Sequence, residues 1–182
     1  MKKNNRHAAF SLAEILLTLA IIGVVSALTI PPLKDYSDEM TIVAQVKKAH
    51  SDLSAATAAI ETKYGDLKFW PWNDQTAIMN RYAEQIMFNE SSGSSRTSQN
   101  GMTWYIYNGK DGDGGTALGT GGMAIVDVNT SLNPPNKDGI DRFAFRINEN
   151  GVLPYGSPDA TANNDFDNTY KVINEGKVPA FH

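Results

Sequence analysis

The sequence predicts an α+β fold in which one long N-terminal helix packs on a small antiparallel sheet. Three observations lead to this. A run from Phe10 to Ile30 carries no charge except Glu14 and is long enough to cross a bilayer. A second run, residues 38–65, repeats its apolar positions at helical spacing. Three later runs have strand character and are separated by loops rich in Gly, Asn and Pro.

The first run holds about twenty residues, roughly 30 Å of helix, which matches the hydrocarbon thickness of a membrane. Lys2, Lys3 and Arg6 precede it, while Lys34, Asp35, Asp38 and Glu39 follow it. This asymmetry predicts a cytoplasmic N-terminus and an exported remainder. Val25-Ser26-Ala27 is a small-residue stretch of the kind an ordinary signal peptidase cuts, and such a cut would leave a soluble product beginning at Leu28. That reading gives no reason for Glu14, because an acid in a membrane-length helix costs about 2.5–3.5 kcal/mol near its centre and normally has a partner.

Past Pro31-Pro32 the pattern becomes amphipathic. Val43, Val46, His50, Leu53, Thr57, Ile60 and Tyr64 alternate spacings of three and four and form one helical stripe. Asp35 or Ser37 is expected to cap this helix, Gly65 to end it, and the prolines to bend or break the chain between it and the apolar run. His50 lies on the stripe and reads as a packed or partly exposed histidine.

Residues 69–74 (FWPWND) read as an aromatic corner closing onto the core. Asp74 is then expected to cap a short helix with Ile78, Met79, Tyr82, Ile86 and Met87 inward. The polar run 89–101 reads as a mobile surface loop within a single domain. Strands are expected over residues 102–108, 123–129 and 141–148, with 151–156 as an added edge. In the third run Phe143, Phe145 and Ile147 alternate with Arg142 and Arg146, so one face is expected buried and one wet. Residues 167–176 suggest a last short helix, with Asp167 as cap, Tyr170 and Ile173 inward and Gly176 as stop.

Composition narrows the function. The 182 residues suffice for one cored domain. The formal net charge of −4, with scattered cations, argues against nucleic acid as a partner. The absence of cysteine excludes disulfides, Cys-ligated zinc and thiol catalysis. The chain has no HExxH, GxSxG or P-loop motif, and an enzyme is not expected.

The junction Ala8-Ala9-Phe10-Ser11-Leu12-Ala13-Glu14, followed by the apolar helix and Pro31, resembles the class III signal of the type IV pilin and type II secretion pseudopilin superfamily. The residue before the cut is Ala9 where that family usually has glycine. The resemblance is specific over residues 1–60 and only architectural thereafter. It implies a pilin-like fold, a leader peptide (1–9) removed by a prepilin peptidase between Ala9 and Phe10, methylation of the new N-terminus, a transmembrane and assembly helix (10–33) and an exported globular domain (34–182). Phe10, Glu14 and Pro31 are the expected assembly residues. Partners would be copies of this chain, other pilins or pseudopilins, and an inner-membrane assembly platform. Glu14 lies four residues, roughly 6 Å along a helix, from the α-amine that cleavage would create, so an axially displaced neighbour could pair with it. The competing reading is a secreted binding protein or hydrolase cut after Ala27.

Some pseudopilins carry calcium in their sheet-side loops, and this chain has two Asx-rich loops. Asp111 and Asp113 lie in the first, but an EF-hand starting at Asp111 would need an acid where Gly122 stands. Asp127, Asn129, Asn136, Asp138 and Asp141 lie in the second. A structural calcium ion on these residues is one expectation, and plain Asx turns are the other.

Overall fold

The computed structural model describes residues 11–90, 93–107, 121–161 and 164–179, except for the Pro32 side chain. The chain divides into two compact units, Met1–Asp38 and Glu39–His182. Helix α1, Leu12–Tyr64, runs as one element through Pro31 and Pro32, so the expected break is not present. Asp35 and Ser37 are therefore interior helix residues and cap nothing. Each proline removes one backbone N–H. The neighbouring turns hold the helix across that gap.

In the unit Glu39–His182 the predicted stripe is the buried face of α1. Val43, Val46, Ala49, Leu53, Ala56 and Ile60 join one core with Trp104, Ile106, Ala124, Val126, Phe143, Phe145 and Ile147. Tyr64, the last stripe residue, stays exposed and donates its hydroxyl to Glu84 Oε1 at 2.6 Å. A 3₁₀ turn, Leu67–Phe69, and helix α2, Gln75–Tyr82, follow. The aromatic corner closes as expected. Trp70 and Trp72 are buried, and their indoles donate to the carbonyls of Gly65 and Leu67. Phe69 points to solvent. Asp74 caps α2 by accepting the Ala77 N–H at 3.0 Å. Because α2 ends at Tyr82, Ile86 and Met87 lie beyond it, and Met87 is exposed rather than inward.

Five antiparallel strands form one sheet in sequential order: β1 Ser95–Thr97, β2 Thr103–Tyr107, β3 Gly122–Asp127, β4 Arg142–Asn148 and β5 Gly151–Pro154. Together with α1 this is the predicted α+β architecture of a long N-terminal helix packed on an antiparallel sheet. Two expectations are corrected. The polar run 89–101 contains a strand, β1, in register with β2 through Arg96 opposite Trp104. Its outer edge is closed by its own chain: Asn89 N–H donates to the Thr97 carbonyl and Glu90 Oε2 accepts the Thr97 N–H. An edge closed in this way offers no open ladder to another strand.

The second correction concerns the sheet's other face, expected to be wet. Met123, Ile125 and Ala144 pack there with Tyr155 and Phe166 in a smaller core. The segment after β5, including the 3₁₀ turn Asp165–Asp167, covers this face because Gly156 takes a φ of 93°. A side chain at that position would collide with the Asp167 carbonyl. Helix α3, Asn168–Glu175, ends at Gly176 as predicted. Thr169 and Val172 are its buried residues, Ile173 packs against the core as expected, and Tyr170 is exposed rather than inward. The Asp167 side chain makes no capping hydrogen bond.

Candidate functional site

The first unit contains two of the expected assembly residues, Glu14 and Pro31. Leu12, Leu16, Leu17, Leu19, Ile22, Val24, Leu28 and Ile30 are all more than half exposed, and no part of the apolar window is covered by protein. This is one helix long and apolar enough to cross a membrane. Two of its hydroxyls are satisfied from within. Thr18 and Thr29 turn their hydroxyls back to the carbonyls of Ile15 and Val25, each at 2.9 Å. Such back-bonding suits a side chain that has no water to bond.

Glu14 sits at the start of this helix in a reciprocal cap. Its Oε2 accepts the Ser11 N–H at 2.8 Å, and Ser11 Oγ accepts the Glu14 N–H at 3.2 Å. Two of the four N–H groups that every helix start leaves unpaired are thereby satisfied, an arrangement typically worth about 1 kcal/mol. The acid also lies at the positive end of the helix dipole. Ser11 was not among the predicted site residues, although Ser-Leu-Ala-Glu is the sequence signature of this cap. Ala9 and Phe10 lie outside the described residues. Pro31 lies inside α1 and marks no boundary.

The second unit gathers part of the expected metal set. Asp111 and Asp113 lie outside the described residues. Asp127 and Asp141 are both buried and close enough to repel. Burial first, and the Asp141 charge second, push the Asp127 carboxyl up to about 6. Asp127 Oδ1 accepts the Asn129 N–H at 3.3 Å. Asp141 accepts three hydrogen bonds: Oδ1 accepts the Lys137 N–H at 2.7 Å, and Oδ2 accepts the Asn136 N–H at 2.8 Å and Asn129 Nδ2 at 3.2 Å. Asp138 pairs with the Arg142 guanidinium at 3.3 Å.

Calcium takes six to eight oxygen ligands. Here Asp127 and the buried, unpartnered Asn129 Oδ1 are the oxygens of the expected set left open among the described residues. Among the described residues no group of three or more His, Cys, Asp or Glu side chains converges as a metal site.

His50 Nε2 lies 2.9 Å from the Val152 carbonyl, to which it must donate, and the ring stacks on Phe145 with centroids 5.5 Å apart. It is thus a packed side chain that ties α1 to β5. A cleft of about 580 Å³ between α1 and the 85–87 and 98–100 segments contains Lys48, Asp52 and Ser98. Lys48 and Asp52 pair with each other at 2.9 Å. Ser98 Oγ lies within hydrogen-bond distance of Asn100 Oδ1 and the Met102 carbonyl, and accepts the Trp104 indole N–H. No base addresses it among these contacts. Comparison with protein-family models, curated proteins and solved structures returns no match for this chain.

Proposed function

We propose that this chain is a structural subunit of a type IV pilus or a type II secretion-type pseudopilus. It is made with a leader that prepilin peptidase removes before Phe10, is held in the inner membrane with its N-terminus cytoplasmic, and is then assembled by an inner-membrane platform into an extracytoplasmic filament. The observation that carries this reading is the first half of α1: a membrane-length helix, bare of protein contacts, that starts at a capped carboxylate and leads into a folded α+β unit. A bare apolar surface of this size needs a covering. Lipid supplies it before assembly, and neighbouring copies or other pilins supply it in the filament.

Intact-mass measurement of the protein extracted from its native membrane tests this. The expected mature chain begins at Phe10, and loss of Lys2, Lys3 and Arg6 takes the formal side-chain charge from −4 to −7. A mature chain beginning at Leu28 would instead identify a secreted protein released by an ordinary signal peptidase, and would overturn the proposal.

A further inference from the structure

We propose that the loop 129–141 is a metal-independent keystone, in which N–H donors gathered on Asp141 take the place that a divalent cation would fill. The direction of the donors carries the argument. The backbone N–H groups of Asn136 and Lys137 and the amide of Asn129 all aim at the Asp141 carboxylate, at 2.7–3.2 Å. A carboxylate has about four lone-pair positions, and three are occupied here. A cation approaching it would meet the positive ends of those N–H bonds.

The rest of the loop is closed by the same kind of bond. Asn133 Nδ2 donates to the Asn129 carbonyl at 2.7 Å, and Asn136 Nδ2 to the Ser131 carbonyl at 3.2 Å. Asn136 itself has a φ of 50°, a conformation that asparagine tolerates and most residues do not. Asp138, a further expected ligand, already faces the Arg142 cation.

The keystone also holds its neighbours. Gly139 has a φ of 74°, and a side chain there would collide with the Asp165 carbonyl and the Asn168 side chain, so the loop seats directly against the start of α3. Val128 N–H donates to the Asp141 carbonyl, carrying β3 toward β4. Asp141 thus closes the β3–β4 connection through hydrogen bonds, and the loop meets the C-terminal segment through the close approach at Gly139.

The test is thermal unfolding of the full chain in detergent, followed by tryptophan fluorescence, with calcium or with chelator, on wild type and on Asp141→Asn. Hydrogen exchange of the Asn136 and Lys137 amides is read in parallel. Expected are an unchanged Tm and unchanged amide protection in wild type across millimolar calcium. Asp141→Asn should lower Tm equally with calcium or chelator and speed exchange at those two amides. A calcium-dependent rise in wild-type Tm of about 5 °C or more, the effect of a site near saturation, would overturn the proposal. So would an Asp141→Asn protein with wild-type Tm and wild-type protection. If that variant does not fold, the wild-type calcium comparison decides the matter alone.

Discussion

Glu39 Oε1 accepts the backbone N–H of Val178 at 2.8 Å, joining two buried residues that lie 139 positions apart. Glu39 is also where the second compact unit begins on α1. The bond depends on Gly176, whose φ of 68° lets the chain turn out of α3 so that Val178 reaches the carboxylate. A buried carboxylate that lost this donor would be partly unpaired, and a backbone N–H that lost the carboxylate would be left without its acceptor.

The first prediction follows directly. Glu39→Ala is expected to destabilise the folded unit by about 2–3 kcal/mol, the range for a buried hydrogen bond to a charged group. Glu39→Gln keeps an acceptor oxygen and should lose much less. Denaturant unfolding checks the energy, and exchange at the Val178 amide checks the site. Equal losses for the two variants would show that charge, rather than the acceptor, holds the C-terminal segment.

The cap at the start of α1 allows charge and capping to be separated. Gln serves in this cap as well as Glu does. Glu14→Gln should therefore keep the bonds to Ser11, be processed and inserted like wild type, and still form far fewer sheared filaments when it is the only copy expressed. Ser11→Ala removes the Oγ acceptor and leaves the charge, so it should cost about 1 kcal/mol of local helix stability with a smaller effect on filaments. Normal filaments from Glu14→Gln would mean that capping is the whole role of this acid.

Arg96 is a second group whose role can be tested. It is only 2% exposed, its Nη2 donates to Asn80 Oδ1 at 2.5 Å, and its Nε has no partner among the described residues. Asn80→Ala removes that acceptor and is expected to cost about 2–3 kcal/mol. Arg96→Met keeps much of the stem volume and removes the charge, so it should be near neutral or stabilising. A larger loss from Arg96→Met than from Asn80→Ala would show that the charge itself is needed in the fold. Denaturant midpoints at constant slope decide between them.

Asp127 gives a pH dependence of defined sign. Its ordinary value is 3.8, and burial together with Asp141 pushes it up to about 6 in the folded protein. Between these values the folded state binds more protons than the unfolded one, so this group's contribution to stability falls as pH rises from about 4 to about 6 and is level above that. Asp127→Asn keeps an acceptor for the Asn129 N–H and removes the charge. It should stabilise the protein by about 1–3 kcal/mol at pH 7.5 and leave stability at pH 3.5 nearly unchanged. Unfolding curves at the two pH values check this, and an equal gain at both would remove ionisation as the cause.

Much of this molecule is decided by local pattern. The apolar run, the stripe of Val43, Val46, Leu53 and Ile60, the alternation of Phe143, Phe145 and Ile147, the Asp74 cap and the Gly176 stop all follow from spacing within one element. Each reflects a preference that a few neighbouring residues already express. Glu14 could be singled out the same way, as a charge in an uncharged run, and its cap with Ser11 was legible in four consecutive residues. What only the tertiary structure decided are the features that depend on partners far along the chain. Strand β1 forms inside a polar run because Arg96 finds an acceptor in Asn80 and Ser98 a donor in the buried Trp104, which no local periodicity announces. The face expected to be wet is covered because Gly156 sends the chain back across it, bringing Phe166 onto Met123 and Ile125. The Asx-rich loop closes on Asp141 because the backbone N–H groups of Asn136 and Lys137 fold inward, and the direction of an N–H bond is set by backbone geometry, not by composition.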